Sequence, residues 1–195
     1  MKIIKKFKSI NEFETERLYA IRLNANDLDK FTTMLTDPVV METLGGIRSA
    51  KKTQENLDWN LNQWNENGFG LWVFYLKETK EWIGRGGIRR INLNGVDEIE
   101  IGYALMSPFW NKGYATEITK ACIEIAFEVL RLKNVVCFTL TTNMSSQRVM
   151  QKSGFQYESD IVINYDGVDY PHVLYRMKNY RKAEVVLMTN RLCEA

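Results

Sequence analysis

The part of the chain that most constrains its fold is a strand–helix–strand pattern between residues 96 and 140. In Val96–Leu105 apolar residues come to alternate with polar or small ones towards the end, which predicts a half-buried strand. From Ala115 to Leu130 the apolar residues recur at helical spacing, and Val135–Leu140 is again β-rich. Two strands of one sheet that are joined through a helix lie parallel, in a right-handed crossover. The pattern therefore predicts an α/β fold with a parallel pair of strands.

Two more strand patterns come directly before this unit. Leu71–Leu76 and Trp82–Ile91 are rich in aromatic and β-branched residues, and the polar segments Lys77–Lys80 and Asn92–Gly95 resemble turns. Short loops join antiparallel neighbours. The sequence therefore predicts a mixed sheet, in which an antiparallel meander is followed by the parallel β-α-β crossover, with helices on both faces.

The remaining elements frame this sheet. The predicted strands are Glu16–Leu23, Phe155–Ile163 and Val168–Met177, the last two flanking an Asp166-Gly167 hairpin turn. The predicted helices are one capped at Asn26 or Asp27 that ends before Pro38, one from Ser49 to Gly68, and a short one that ends at Gly154. We expect a single domain over residues 1–195, with a core from about residue 13 to residue 178 and a tail, 179–195, of unknown structure.

The composition excludes several classes of protein. Hydrophobic residues make up 45% of the chain, enough for a core, and a net charge of +2 does not favour nucleic acid as a partner. Three widely spaced cysteines (Cys122, Cys137 and Cys193) and one histidine, His172, favour neither a metal site nor a disulfide framework. No apolar run is long enough to span a membrane. We therefore expect a cytoplasmic protein with no metal and no nucleic-acid or membrane partner.

One face of the strand that ends at Leu105 has the composition of a substrate site. Alternation places Glu100 beside Gly102 and Ala104 on this face, opposite the apolar side chains. A glycine inside a strand often marks the close approach of a ligand. This face therefore has room for a substrate next to a possible base. Glu98 lies on the same face and is the rival candidate.

The start of the following helix has the composition of a phosphate site. The first turn of a helix presents unpaired N–H groups and a partial positive charge. Gly113 and Ala115 give a phosphate access to this backbone, Lys112 adds a charge, and Thr116 adds a hydroxyl. A plain turn would explain Gly113 alone, but the combination predicts a diphosphate-bearing cofactor whose chain runs back along the strand towards Glu100.

Two blocks of sequence together resemble the GNAT acetyltransferase superfamily. Its acetyl-CoA loop reads Arg/Gln-x-x-Gly-x-Gly/Ala, and Trp110–Ala115 matches this spacing with Trp110 at the Arg/Gln position. The segment from Asn143 to Phe155 resembles the family's Asn-x-x-Ser…Val…Lys-x-Gly-Phe motif. Trp110 and the opening Thr15–Leu18 are similar to the branch that includes ribosomal-protein N-terminal (alanine/serine) acetyltransferases.

The resemblance implies a role for each matching residue. The residues implied to bind acetyl-CoA, the co-substrate, are Leu105, Met106, Trp110, Asn111, Lys112, Gly113, Tyr114, Ala115, Thr116, Asn143 and Ser146. Glu100 is implied to be the general base, and Ser146, or a water that it binds, to protonate the leaving thiolate. Backbone N–H groups near Leu105 and Met106, where the strand splays from its neighbour, are implied to stabilise the oxyanion.

The implied activity is N-acetyl transfer from acetyl-CoA to a primary amine. The first hypothesis for the acceptor is the N-terminal α-amine of a protein such as a ribosomal protein. The second is a small amine such as a polyamine, an antibiotic or an amino acid, and the third is an acetyl-CoA sensor without turnover. Trp59, Trp64 and Phe69 either line the acceptor mouth or belong to the core. The sequence leaves the choice between monomer and homodimer open.

Overall fold

A single mixed sheet organises the computed structural model, which describes residues 2–165 and 167–179. The strands within these residues are β1 (Lys6–Ser9), β2 (Glu12–Glu14), β3 (Leu18–Arg22), β4 (Leu71–Leu76), β5 (Trp82–Leu93), β6 (Val96–Leu105), β7 (Asn134–Leu140), β8 (Gln156–Tyr165) and β9 (Val168–Lys178). The helices are α1 (Leu28–Thr36), α2 (Pro38–Met41), α3 (Ala50–Asn67), α4 (Tyr114–Glu124) and α5 (Met144–Ser153). The strand order is β1-β2-β3-β4-β5-β6-β7-β9-β8, and only β6 and β7 pair in parallel.

The hairpin between β5 and β6 sets the register on which the site depends. Its tight turn lies at Asn94 and Gly95, which both have positive φ, at 51° and 88°. Asparagine and glycine adopt this left-handed conformation more readily than other residues. The ladder runs back from the turn without a register shift, so that Arg89 lies opposite Glu100.

The parallel pair β6–β7 diverges after one registered position. Glu100 lies opposite Val136, and within the described chain the two strands then run on to Leu105 and Leu140 without further ladder pairs. Backbone groups on that edge of β6 are therefore not used by the sheet. The expected splay is present in the structure.

Helices lie on both faces of the sheet. On one face α4 packs so closely on β5 that a Cβ atom at Gly86 would lie 2.5 Å from the Ile118 side chain. On the other face Phe31 of α1 and Trp59 of α3 lie against arginines of β5. Because side chains alternate along a strand, Glu100 and its register partner Arg89 belong to the face that α1 and α3 cover.

The structure confirms the mixed α/β architecture and differs from the sequence prediction in three details. The lysine-rich start forms β1 and β2, which the sequence analysis did not predict, and β3 starts at Leu18. The predicted helix to Leu130 ends as α4 at Glu124 and continues as a π-helical turn, Ile125–Val129. Asp166, residues 180–195 and with them Cys193 lie outside the described residues, and the single-domain assignment stays a prediction. No helix in the described ranges is long and apolar enough to cross a membrane.

Candidate functional site

The loop before α4 leads into an uncapped helix start. Asn111 and Gly113 have positive φ, at 60° and 81°, and Gly113 is the N-cap residue. No side chain in the described part of the chain caps this end, so the N–H groups of residues 114–116 lack the usual partner four residues earlier. These N–H groups and the helix dipole favour an anion, and the exposed Lys112 adds a positive charge. The geometry fits a phosphate group.

Arg17, which the sequence analysis did not assign to the site, fastens this loop to β3. Its Nη1 donates to the Lys112 carbonyl at 2.8 Å, and its Nε donates to a Glu117 carboxylate oxygen at 2.7 Å. Its guanidinium carbon lies 4.3 Å from the centre of the Tyr114 ring. The Arg17 N–H and the Thr15 hydroxyl donate to the second Glu117 oxygen at 2.9 Å and 2.6 Å. Thr15 and Arg17 therefore fix both the loop before α4 and the first turn of α4.

Beyond Glu100, β6 and β7 diverge and leave a gap between them. Of the two backbone donors expected there, Leu105 and Met106, only one faces this gap. The Met106 N–H donates to the Ile83 carbonyl at 2.9 Å, within the antiparallel ladder. This corrects the expectation for Met106, because its N–H points towards β5 and not into the gap. Neighbouring residues of a strand point their backbone groups in opposite directions, so Leu105 faces the gap. There the Trp110 indole donates to the Leu105 carbonyl at 2.7 Å and closes the turn after β6.

Glu100 is buried and forms an ion pair on the face covered by α1 and α3. Arg89 Nη2 donates to Oε2 of Glu100 at 2.6 Å. No donor in the described residues binds Oε1, which would lie 3.2 Å from a Cβ atom at Gly102. Glu100 is only 5% exposed, and its second carboxylate oxygen lies over Gly102 without a donor in the described chain.

Glu98, the rival base, has both carboxylate oxygens occupied. Arg176 of β9 donates to them at 2.9 Å and 2.6 Å. The same guanidinium also binds Glu158 and Asn134. The hydrogen bond to Glu98 is the main cause that raises the pKa of Arg176, and the hydrogen bond to Glu158 and the charges of both carboxylates act in the same direction. Glu98 is therefore part of a structural network between β6, β7 and β9.

Arg85 lies on the same face as Glu100 and lacks a hydrogen-bond acceptor at its Nε. Its Nε is buried, and no acceptor in the described residues contacts it. The guanidinium lies 5.3 Å from the centre of the Phe31 ring. Burial lowers the pKa of Arg85 to about 9, the charge of Arg89 acts in the same direction, and Glu100 opposes both. The face thus carries two guanidinium groups beside one carboxylate.

Ser146 of α5 meets Tyr103 of β6 on the opposite face of the sheet. The two hydroxyl oxygens lie 2.9 Å apart, and the Tyr103 hydroxyl is 3.2 Å from the Ser146 carbonyl oxygen, to which it donates. Burial raises the pKa of Tyr103 well above its usual value. Asn143 caps α5 by accepting the Ser146 N–H at 3.1 Å. This cap is a structural role for Asn143, and its predicted contact with the cofactor stays a prediction.

The three aromatic residues proposed for the acceptor mouth divide into two groups. Trp64 and Phe69 are buried in the main core, where the Trp64 indole donates to the Leu71 carbonyl at 2.9 Å. Trp59 is 41% exposed, and its ring lies 5.3 Å from the Arg89 guanidinium carbon. Only Trp59 lies beside the Glu100 ion pair.

Other reactive side chains lie in the core. Cys122 and Cys137 are buried, as predicted, and burial raises the pKa of both thiols. His172 is buried with Nδ1 2.8 Å from the Tyr170 carbonyl oxygen, and burial lowers its pKa. Across residues 2–165 and 167–179 no group of three or more His, Cys, Asp or Glu side chains could hold a metal ion.

Two of the residues that sequence reasoning missed had a detectable signal. The predicted turn at Asn92–Gly95 fixes the hairpin register, and counting back from it places Arg89 opposite Glu100. Arg17 lies inside the Thr15–Leu18 block that carried the family resemblance. Arg85 had no such signal, because its lack of a partner depends on how α1 packs on the sheet.

Comparison with a library of protein families matches residues 17–156 to the model described as "Acetyltransferase (GNAT) domain". Among curated proteins, "Uncharacterized protein YkkB" of Bacillus subtilis (strain 168) is 32% identical over 133 residues, which are 67% of this chain and 76% of that protein.

Solved structures share the fold. An acetyltransferase from Agrobacterium tumefaciens str. C58 superposes with a TM-score of 0.75 at 27% identity, over 89% of this chain and 97% of the other. RimL, titled a ribosomal L7/L12 alpha-N-protein acetyltransferase in complex with coenzyme A, superposes with a TM-score of 0.69 at 14% identity, over 84% of this chain and 95% of that one. At that identity the second likeness concerns the fold alone.

Proposed function

The chain belongs to the GNAT acetyltransferase family and is an acetyl-CoA-dependent N-acetyltransferase, and on that premise we propose how its two sides divide the reaction. The loop and first helical turn at residues 110–116 hold the donor. Glu100 receives the acceptor amine on the face covered by α1 and α3. The observation that carries this division is the Glu100 carboxylate, which keeps Oε1 without a donor in the described residues above Gly102.

The donor side is suited to a diphosphate attached to an extended arm. N–H groups of residues 114–116 and the Lys112 ammonium would hold the diphosphate, and the unpaired edge of β6 would bind the amide groups of the arm. Trp110 contributes by holding the turn, since its indole donates to the Leu105 carbonyl. The donor supplies an activated thioester carbonyl to the end of the gap.

Glu100 is suited to take a proton from the acceptor amine. A lysine-type amine has a pKa of about 10.4 and an α-amine of about 8, so the first is almost fully protonated at neutral pH and the second mostly. The ammonium first gives one proton to Glu100, directly or through one water, and the neutral nitrogen then forms its bond to the thioester carbon. The C–S bond then breaks, the sulfur leaves as a thiolate, and the nitrogen loses its second proton to solvent.

Two other groups of this chain are suited to the charges that develop on the oxyanion and on the thiolate. The Leu105 N–H faces the gap and would donate to the oxyanion. The Ser146 hydroxyl, hydrogen-bonded to Tyr103, would return a proton to the thiolate. The presence of Glu100 and Ser146 on opposite faces of the sheet, together with the open Leu105 N–H, supports turnover over the alternative of an acetyl-CoA sensor.

The identity of the acceptor stays a prediction. A protein N-terminus, such as that of a ribosomal protein, is the first hypothesis, and a small amine is the alternative. A panel of N-terminal peptides, polyamines, amino sugars and amino acids with acetyl-CoA separates them, with thiol release and the mass of the product as readouts. If no acceptor in the panel causes thiol release, although acetyl-CoA raises the melting temperature, the result favours the sensor.

Two matched variants test the base. We expect Glu100→Gln to keep acetyl-CoA binding and to lower kcat by about 10²- to 10⁴-fold at neutral pH, because the amide cannot accept the proton. Glu98→Gln is the control, since it removes the same charge two residues away from a carboxylate that Arg176 already occupies. A loss of kcat in Glu98→Gln with normal turnover in Glu100→Gln would reverse the assignment.

A further inference from the structure

The acceptor side carries an excess of positive charge that nothing in the described structure neutralises. Arg85 and Arg89 lie four residues apart on one face of β5, and Glu100 lies opposite Arg89. The Glu100 carboxylate pairs with Arg89 alone among its described neighbours, so the charge of Arg85 has no partner there. Arg85 is half-buried, and its Nε is shielded from solvent without an acceptor, which costs free energy unless a ligand supplies one.

The hydrogen-bonding groups of the two arginines repeat this imbalance. Nε of Arg85 and Nε of Arg89 are both buried without an acceptor in the described chain. A guanidinium carries five N–H donors. Arg89 makes two hydrogen bonds, one to a Glu100 carboxylate oxygen and one to the Asn60 side chain. The Arg85 side chain contacts the Phe31 ring and makes no hydrogen bond to any described residue. Donors are thus in surplus, and the missing component is an acceptor with negative charge.

The strand opposite these arginines carries small residues, and the Arg89–Glu100 ion pair lies over one of them. β6 presents Gly102 and Ala104 on this face, and Ala104 is the register partner of Arg85. A Cβ atom at Gly102 would already lie 3.0 Å from Nη2 of Arg89. From Glu100 to Ala104 the strand covers about 13 Å, and Arg85 is close enough to Glu100 for the two charges to act on each other. An amine at Glu100 and an anionic group at Arg85 would then belong to one small molecule.

We propose that the acceptor amine bears a carboxylate, which Arg85 binds while Glu100 receives the amine. This inference rests on the proposed function, because it places the acceptor beside Glu100. Arginine is the residue best suited to a carboxylate, since its planar fork matches the two oxygens. Arg89, held by Glu100, Asn60 and Trp59, keeps the base in position. Amino acids are the simplest molecules with both groups, and an acidic side chain near a peptide N-terminus is a second source of the same chemistry.

Matched acceptors test the carboxylate directly. Free amino acids of different chain lengths are compared with their amides and with the amines that lack the carboxylate, and peptides with Asp at the second position are compared with peptides with Asn. The assay follows thiol release with the full chain and saturating acetyl-CoA. We expect at least about a tenfold higher kcat/KM for the carboxylate member of one series. The series that shows it identifies the source of the carboxylate.

Variants of Arg85 show whether this preference depends on it. We expect Arg85→Gln to remove the preference, with the neutral members changed less than about threefold, and Arg85→Lys to keep part of it. Arg90→Gln is the control, because Arg90 is the exposed neighbour on the same strand. Thermal unfolding with and without acetyl-CoA shows that each variant is folded and binds the donor, and wild-type binding of N-acetyl amino acids against their amides gives an independent measure of the preference.

The outcomes separate this inference from the proposed function. If amines are acetylated but no carboxylate series is preferred, or if Arg85→Gln lowers all acceptors equally, the carboxylate site is overturned while the transferase assignment stands. If no amine is acetylated and acetyl-CoA gives no thermal shift, the proposed function itself fails. A preference that disappears in Arg85→Gln and persists in Arg90→Gln supports both.

Discussion

The proposed donor side and the proposed acceptor side of this protein are built in different ways. On the donor side, Arg17, Thr15 and Glu117 satisfy one another and hold a helix start whose only open groups are backbone N–H. On the proposed acceptor side, the half-buried Arg85 and Arg89 each keep a buried Nε without an acceptor in the described structure. A backbone site can recognise the same diphosphate whatever side chains surround it, whereas a charged side-chain site is specific for the group it lacks.

The largest expected effect is the loss of acetyl-CoA binding at the donor side, with the acceptor side unchanged. We expect acetyl-CoA at 100 times its Kd to raise the melting temperature of the wild type by about 5–10 °C. Gly113→Glu should abolish this shift, because a carboxylate then stands where an anion binds and the left-handed φ of 81° disfavours any side chain. Gly95→Glu is the matched control, with a similar φ of 88° in the β5–β6 turn, and should keep the shift. An unchanged shift in Gly113→Glu would move the diphosphate elsewhere.

A smaller effect tests whether the donor loop acts through its fastening. Arg17→Gln and Glu117→Gln should each raise the Kd for acetyl-CoA by about tenfold, with little change in kcat, since each loosens the loop without touching Glu100. The double variant should be no worse than either single one, because both remove the same contact. Additive losses, measured by calorimetry, would instead indicate two separate contacts with the donor.

A change on the acceptor side should leave donor binding intact. Gly102→Ala places a methyl group 3.0 Å from Nη2 of Arg89 and 3.2 Å from Oε1 of Glu100, so the ion pair must shift by a few tenths of an ångström. We expect kcat/KM for the acceptor to fall by a few-fold to about tenfold, with the acetyl-CoA thermal shift unchanged. A weaker shift would mean that the two sides are not separate.

The smallest effect concerns the hydroxyl pair below the gap. Tyr103→Phe removes the bond to the Ser146 carbonyl and one partner of the Ser146 hydroxyl, at a cost of about 1 kcal/mol in the free energy of unfolding. Ser146→Ala should lower kcat by more than Tyr103→Phe does, because it removes the proposed proton donor itself. Denaturant unfolding and single-turnover rates measure the two effects, and the reverse order of kcat values would assign the donor role to Tyr103.

Much of the fold could be predicted because its elements are set by local patterns. The bounds of β6, the start of α4 and the Gly68 C-cap of α3 appear in the structure where the sequence placed them. The strands β1 and β2 could not be predicted in the same way, since they have only 4 and 3 residues, too few for a clear pattern. Their pairing depends on neighbours along the sheet edge.

The candidate site divides along the same line. The candidate phosphate-binding loop could be found from the sequence, because its glycine and its helix start are adjacent there. The pairing that sets Glu98 apart from Glu100 could not, since it depends on Arg176, which lies 78 residues from Glu98. The roles of Trp64 and Phe69 were equally open until packing placed them in the core.

The sequence by itself determined the order and type of the main elements, the β5–β6 register and the glycine-led start of α4, because each follows from backbone preferences of adjacent residues. The tertiary structure alone decided which charges are neutralised: Glu98 by Arg176, Glu117 by Arg17 from 100 residues away, and Arg85 by nothing among the described residues. The reason is physical, since pairing of distant side chains depends on how helices and strands pack, and no local pattern encodes that distance.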